Sequence, residues 1–386
     1  MVDVFKRHLT DAELAEYFLQ LDVSTEKIND NYRAEALILQ QTDPEKGYPR
    51  LVKNMQTYGQ GLSIELPVET IPVRLMLNKT RVQSLTSNTF EKKVKESAEQ
   101  VCFLCTLDKG QHGIIILADR TSIGQGDQQF IILTNPGITL PGDLTIATVR
   151  HTNQLIADRF SDMIHIARSL YNFSIYFNGA LAGASSTHFH FQAGYKDKLI
   201  GESQIQRLLG GQSVGQARLK RILKRKGLEA YNVENYLRAT HLVVAKDAQA
   251  LLGFFNHYLS ALTEISHSIK GIPNVPDFGG LIPSLGIMES EPRINIMLKY
   301  YPDYEAYIAA LFPKRFNRPQ CYFKKGRQQI ILGLAIKEAL GNLITVRETD
   351  YEHLKNDPDL ITKIYSDTAI TPEAVEKINQ LIKKSV

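Results

Sequence analysis

Residues 10–60 carry a helical pattern of apolar and polar positions, interrupted by a polar connection at Thr42-Asp-Pro-Glu-Lys-Gly47. From about Val68 the texture changes. Short apolar runs follow one another, separated by Gly, Asp and Pro: Val73–Leu77, Ile114–Leu117, Phe130–Thr134 and Leu144–Val149. These predict strands. Ile156, Phe160, Met163, Ala167 and Leu170 recur at helical spacing and predict an amphipathic helix. Phe173–Phe177 then reads as a strand leading into a second one around residues 188–192. The stretch Asp197–Lys246 is polar and reads as helical, with the basic run Arg218–Lys226 as a solvated helix face. A helix over Ala250–Ile269 is followed by two strands, Arg293–Tyr301 and Tyr304–Phe312, about a hairpin signal at Pro302-Asp303. Thr371 can cap a last helix with Pro372 in its first turn and a stripe of Val375, Ile378 and Leu381. Strands with an intervening helix predict an α+β fold built on an antiparallel sheet.

Composition narrows the class. The chain has 386 residues, 43% hydrophobic and 22% charged, as in ordinary globular proteins. Lys and Arg number 45 against 41 Asp and Glu, a net charge of +4. That suits a small anionic substrate and is too weak and diffuse to argue for nucleic acid. The N-terminal residues show no signal-peptide core, and no apolar stretch is long enough for a bilayer, so no membrane partner is expected. Three cysteines are too few for a disulfide scaffold and point to a reducing, cytoplasmic setting.

The candidate chemistry is concentrated in Gly179-Ala-Leu-Ala-Gly183-Ala-Ser185-Ser-Thr-His188-Phe-His190-Phe-Gln192. On a strand, His188, His190 and Gln192 share one face, and Phe189 and Phe191 take the other. The small-residue loop before them lets backbone N–H groups approach an anion, with Ser185 and Ser186 as further donors. Neutral imidazole beside an anion cradle is suited to attack on phosphorus. Cys102-Phe-Leu-Cys105 supplies half of a tetrahedral metal site. Arg315 and Arg318 can clamp phosphate. Lys324, Lys325 and Arg327 read as surface charges, and Cys321 as a small apolar residue. The histidines at 8, 112, 165, 241, 257, 267 and 353 read as surface or internally satisfied residues.

The motif Gly179-x3-Gly183-x-Ser185-x2-His188-x-His190-x-Gln192 resembles the active strand of the histidine-triad superfamily, in the transferase branch where Gln takes the third His position. That branch includes galactose-1-phosphate uridylyltransferases, diadenosine tetraphosphate phosphorylases and GDP-L-galactose phosphorylases. Further stretches, Gln100–Cys105, Glu291–Asn295, Arg315–Pro319 and Gly341–Tyr351, are similar to an uncharacterised group of bacterial homologues, a weaker resemblance over roughly residues 75–360.

The resemblance implies two fused histidine-triad-like halves, residues 1–200 with the active strand and residues 201–386 completing the substrate pocket. It implies His190 as nucleophile, Gln192 and Ser185 assisting it, Gly183, Ser186 and Arg81 near the substrate, and Asn178 either contacting phosphate or, the favoured role, holding the glycine loop. It also implies that His151 and His188 complete a zinc site with Cys102 and Cys105. The substrate would be a nucleotide sugar or a dinucleoside polyphosphate, and phosphate or a sugar phosphate would accept the nucleotidyl group; the resemblance leaves room for a homodimer. Two other readings stay open: a nucleotide hydrolase of the same fold, and a zinc-stabilised nucleotide-binding protein without turnover.

Overall fold

Thirteen strands form among the described residues, and ten of them share one sheet. The computed structural model describes residues 8–81, 102–120, 126–268 and 291–384. The large sheet contains β3 (Gly113–Ala118), β4 (Gln128–Thr134), β5 (Leu144–Thr148), β6 (Phe173–Asn178), β7 (His190–Tyr195), β8 (Arg218–Arg225), β9 (Leu228–Glu234), β10 (His241–Ala245), β11 (Ile294–Tyr301) and β12 (Ala306–Pro313). Their spatial order is β3-β4-β5-β7-β6-β11-β12-β10-β9-β8, antiparallel throughout. The fold is therefore α+β, as the alternation of strands and helices predicts.

The order contains a repeat that no sequence period betrays. Each half runs as a three-stranded meander, then a helix, then a pair whose second strand docks beside the meander. In the first half these are β3-β4-β5, the helix Phe160–Ser169, and β6 with β7; in the second they are β8-β9-β10, the helix Ala248–Ser268, and β11 with β12. The halves join where β6 meets β11, Asn178 opposite Asn295. A separate three-stranded sheet, β1 (Leu62–Val68), β2 (Ile71–Leu77) and β13 (Asn342–Thr345), draws on both ends of the chain, because β13 pairs in parallel with β2.

Alternation along β7 divides two cores. Phe189, Phe191 and Ala193 are fully buried with Phe130, Phe177 and the helix residues Phe160 and Phe255. Burying each large ring contributes about 1.5–3 kcal/mol. On the opposite face Tyr176, Met297, Ala310 and Phe312 pack beneath the helix Ile200–Leu209 and the short helix Ile336–Ala339. The functional side chains of β7 belong to this second face.

Two expectations are corrected. The basic run is not a helix face: Arg218–Arg225 is the edge strand β8, and the only helix within Asp197–Lys246 is Ile200–Leu209. Gly227, at φ +76°, closes a tight turn into β9. The cations of this edge strand are spread along it between Leu219, Ile222 and Leu223, which blurs the apolar alternation, and they find Glu234 and Glu229 on β9. The amphipathic helix begins at Phe160, so His151 lies in a loop before it and does not open it; Ile156 is buried from that loop. His241 is internally satisfied, by Tyr258 and Asn379. Among the described residues no helix is long and apolar enough to cross a membrane.

Candidate active site and metal centre

β7 emerges from the glycine loop with its register set on both sides. His190 sits opposite Ala147 of β5, and Gln192 opposite both Thr145 of β5 and Tyr176 of β6. The loop before it is held by asparagines. Asn178 Oδ1 accepts from Asn295 Nδ2 at 2.8 Å and from the N–H of Ile336 at 2.7 Å, and Asn295 Nδ2 also donates to the carbonyl of Ala182 at 2.7 Å. Gly183 adopts φ +106°, and a Cβ there would meet Ala335 Cβ at 2.9 Å. Glycine is needed both for the conformation and for the close approach. Loop closure uses the N–H groups of Ala182 and Ala184.

His190 is buried, on the same face of β7 as Gln192, which lines a cleft. Its Nδ1–H donates to the carbonyl of His188 at 2.8 Å, which leaves Nε2 carrying the lone pair. Burial holds the imidazole below the usual histidine range, in the neutral form. Gln192, Ser185, Gly183, Asn178 and Arg81 line the cleft, which is partly open and has a volume of about 550 Å³. Its far wall comes from the second half of the chain: Ile331 to Gly333, Ala335, Lys337 and Glu338, with Ile344 and Val346. Lys337 Nζ is paired with Asp143 at 2.7 Å and bonded to Thr139, and burial pulls its ammonium below the ordinary lysine range. Glu338 Oε2 accepts from the N–H of Ala335 at 3.0 Å, and burial pushes its carboxyl up.

Three residues expected at the substrate are placed elsewhere. Ser186 faces the cysteines: its Oγ accepts from the N–H of His188 at 3.1 Å and lies 3.7 Å from Cys102 Sγ. Arg318 is buried behind the cleft wall, its guanidinium over Tyr322 and against Gly333, where a Cβ would come within 2.4 Å of it. Arg315 lies over Phe316 and is absent from the cleft lining. Clustered cations in sequence therefore did not indicate a phosphate clamp here. Conversely, the far wall and the buried Gln154 and Asn295 were not singled out from sequence. Asn295 lies within the stretch Glu291–Asn295; for Gln154 the sequence carries no signal beyond its place shortly before a helix.

Cys102, Cys105, His151 and His188 come together, their ligand atoms all within 4.8 Å of one another. The knuckle closes through the N–H of Cys105 to the carbonyl of Cys102. His188 Nδ1 is 3.6 Å from Cys102 Sγ and 3.4 Å from Cys105 Sγ, and His151 Nδ1 is 3.4 Å from Cys105 Sγ. A tetrahedral ion with metal–sulfur bonds of about 2.3 Å and metal–nitrogen bonds of about 2.0–2.1 Å sets sulfur and nitrogen roughly 3.5 Å apart. His188 Nε2–H donates to the carbonyl of Thr148 at 2.7 Å, so its Nδ1 lone pair faces the sulfurs. The cluster can hold a metal ion.

Comparison with known proteins agrees with this architecture. A family model described as a domain of unknown function, DUF4922, matches residues 40–195. No curated protein matches by sequence. Among solved structures, yeast Ap4A phosphorylase Apa2 aligns with a TM-score of 0.50 at 13% identity, covering 83% of this chain and 97% of that one. The same enzyme in complex with Ap4A aligns with a TM-score of 0.50 at 12% identity, covering 84% and 97%. At such identities the likeness is one of fold. The chain has the histidine-triad-like α+β fold that its strand motif implies, doubled into two halves.

Proposed function

We propose that the protein is a nucleotidyltransferase of the phosphorylase type, acting on a dinucleoside polyphosphate or a nucleotide sugar through a covalent nucleotidyl–His190 intermediate. The observation that carries the reading is the state of His190: Nδ1 is committed to its own chain, Nε2 keeps the lone pair of the neutral ring, and Gln192, next on the same strand face, lines the cleft. Nε2 attacks the α-phosphorus in line, the phosphorus–oxygen bond to the distal phosphate breaks, and that phosphate leaves with the electron pair. A phosphate leaving group needs little protonation, so Gln192, which is no acid, suffices at its position. Gln192 and Ser185 hydrogen-bond the phosphoryl oxygens. The N–H groups of Gly183 and Ser185, which have no partner among the described residues, add to the charge stabilisation. Inorganic phosphate or a sugar phosphate then attacks the phosphorus from the vacated side and releases His190. The fold shared with an Ap4A phosphorylase is in keeping with this class.

The Cys102, Cys105, His151 and His188 set fits zinc, by its donor types and its spacing. With four protein ligands a bound ion would be structural: Cys102 and Cys105 would be tied through it to His151 and to His188 at the entry to β7.

Incubation with α-labelled nucleotide sugars and dinucleoside polyphosphates tests the proposal. An acid-labile label on the wild type, lost in His190→Ala, is expected. Wild-type turnover in His190→Ala overturns the covalent mechanism. Label that discharges to water faster than to millimolar phosphate replaces it with the hydrolase reading.

A further inference from the structure

Between β6 and β7 the ladder stops short. Their register runs from Phe173 opposite Tyr195 to Tyr176 opposite Gln192. The same register would next place Phe177 opposite Phe191 and then Asn178 opposite His190, but there the strands part to admit the glycine loop. The side chain of Gln154, fully buried, occupies that place. Its Oε1 accepts from the N–H of His190 at 2.7 Å. Its Nε2 donates to the carbonyl of His190 at 2.9 Å and to the carbonyl of Asn178 at 3.0 Å. One carboxamide thus replaces a cross-strand peptide on both sides of the gap. Its own loop is pinned in turn. Glu291 accepts from the N–H groups of Ile156 and Ala157 at 2.8 and 2.7 Å, and the carbonyl of Thr152 accepts from the N–H of Phe189 at 2.8 Å.

We infer that Gln154 is a positioning residue for His190, standing in for the missing rung so that the strands can open for the loop while the nucleophile's backbone stays fixed. The inference rests on the reading of His190 as nucleophile. The chemistry is specific to a carboxamide. Glutamate keeps the acceptor and loses the donors, and leucine keeps the bulk and loses both, leaving three buried backbone groups without partners. Because Nδ1 of His190 is held by a neighbouring backbone carbonyl, a shift of this short stretch swings Nε2 away from in-line attack, which a displacement of about 1 Å makes costly.

The test is hydrogen exchange on the metal-loaded, full-length protein, joined to steady-state kinetics. In the wild type the His190 amide should exchange at least about 100-fold slower than an unprotected amide. In Gln154→Glu and Gln154→Leu it should exchange at least about tenfold faster, with Ala193 on the same strand within about twofold. Turnover should fall at least about tenfold in kcat while KM stays within about twofold, because the cleft lining is untouched. An unprotected His190 amide in the wild type overturns the inference without recourse to any variant. So does a folded variant with unchanged exchange, or one that loses kcat and KM together. Absence of nucleotide turnover in the wild type would instead overturn the reading of His190, and exchange would still decide whether Gln154 holds it.

Discussion

In the first half of the sheet, β6 and β7 are joined by residues 179–189; in the second, β11 and β12 are joined by residues 302–305. The strands on either side follow the same order and pairing sense. The short connection is a tight turn, closed by Glu305 at φ +47°, and β12 reads Ala-Tyr-Ile-Ala-Ala-Leu-Phe-Pro, with no group able to attack phosphorus. The long one carries two glycines, two serines and His188, and leads into His190 and Gln192 on one face of β7, of which Gln192 lines the cleft. The candidate reactive groups lie in and just after the long connection, and its twin is tight. The second half still serves the site: it supplies the far wall of the cleft and, through Asn295, the clamp on the glycine loop.

That division of labour can be broken at several points. The largest effect is expected from His190→Ala. Turnover should drop by at least about 10³-fold with unfolding unchanged, since no group on either half replaces the nucleophile. Substrate-panel rates and a melting curve check it; appreciable residual turnover would mean that the second half carries chemistry after all.

Next comes the Cys102, Cys105, His151 and His188 cluster, which lies in the first half and could hold a metal ion. Cys102→Ser should reduce bound zinc from about one per chain to near zero and lower stability by about 2–5 kcal/mol, read by metal analysis and denaturant titration. Untagged wild-type protein free of metal would reject the site and leave the nucleophile untouched.

A smaller loss should follow Asn295→Ala. It removes two donated hydrogen bonds and leaves the carbonyl of Ala182 and Asn178 Oδ1 short of partners, at a cost of about 1–3 kcal/mol. Activity should fall further than stability accounts for, because the loop and not the core is released. Equal losses would show that Asn295 acts on the sheet as a whole.

The smallest change is the most diagnostic of reaction type. Gln192→His should raise hydrolysis relative to transfer a few-fold, because an imidazole can activate water where a carboxamide cannot. The ratio of nucleoside monophosphate to transfer product at fixed phosphate measures it. A ratio no higher than the wild type's would argue that Gln192 does not govern the acceptor.

What could be read directly from the chain was short in range. The alternation of His188, Phe189, His190, Phe191 and Gln192 assigns faces from the pleat alone, and Phe189 and Phe191 are indeed in the core. Gly183 announces a conformation that other residues resist. Cys102 and Cys105 announce a knuckle by spacing. The basic edge strand was misread because charge on both faces erases the period that distinguishes a strand from a helix. Arg318 was misread because a cation's sequence neighbours do not tell whether its guanidinium meets a cleft or the back of its wall.

By itself, then, the sequence determined local conformation where its pattern is periodic, the α+β class, and a compact set of candidate groups in one stretch, because backbone geometry over a few residues follows from side-chain chemistry there. The tertiary structure alone decided the rest. His151 joins the cysteines through a loop, Gln154 fills a rung vacated by the strands, and residues 331–346 wall a cleft whose opposite side lies about 150 residues earlier. Such contacts depend on how sheets twist, where strands part and which buried amides lack partners. These are properties of the packed chain, and no local pattern of apolar and polar residues encodes them.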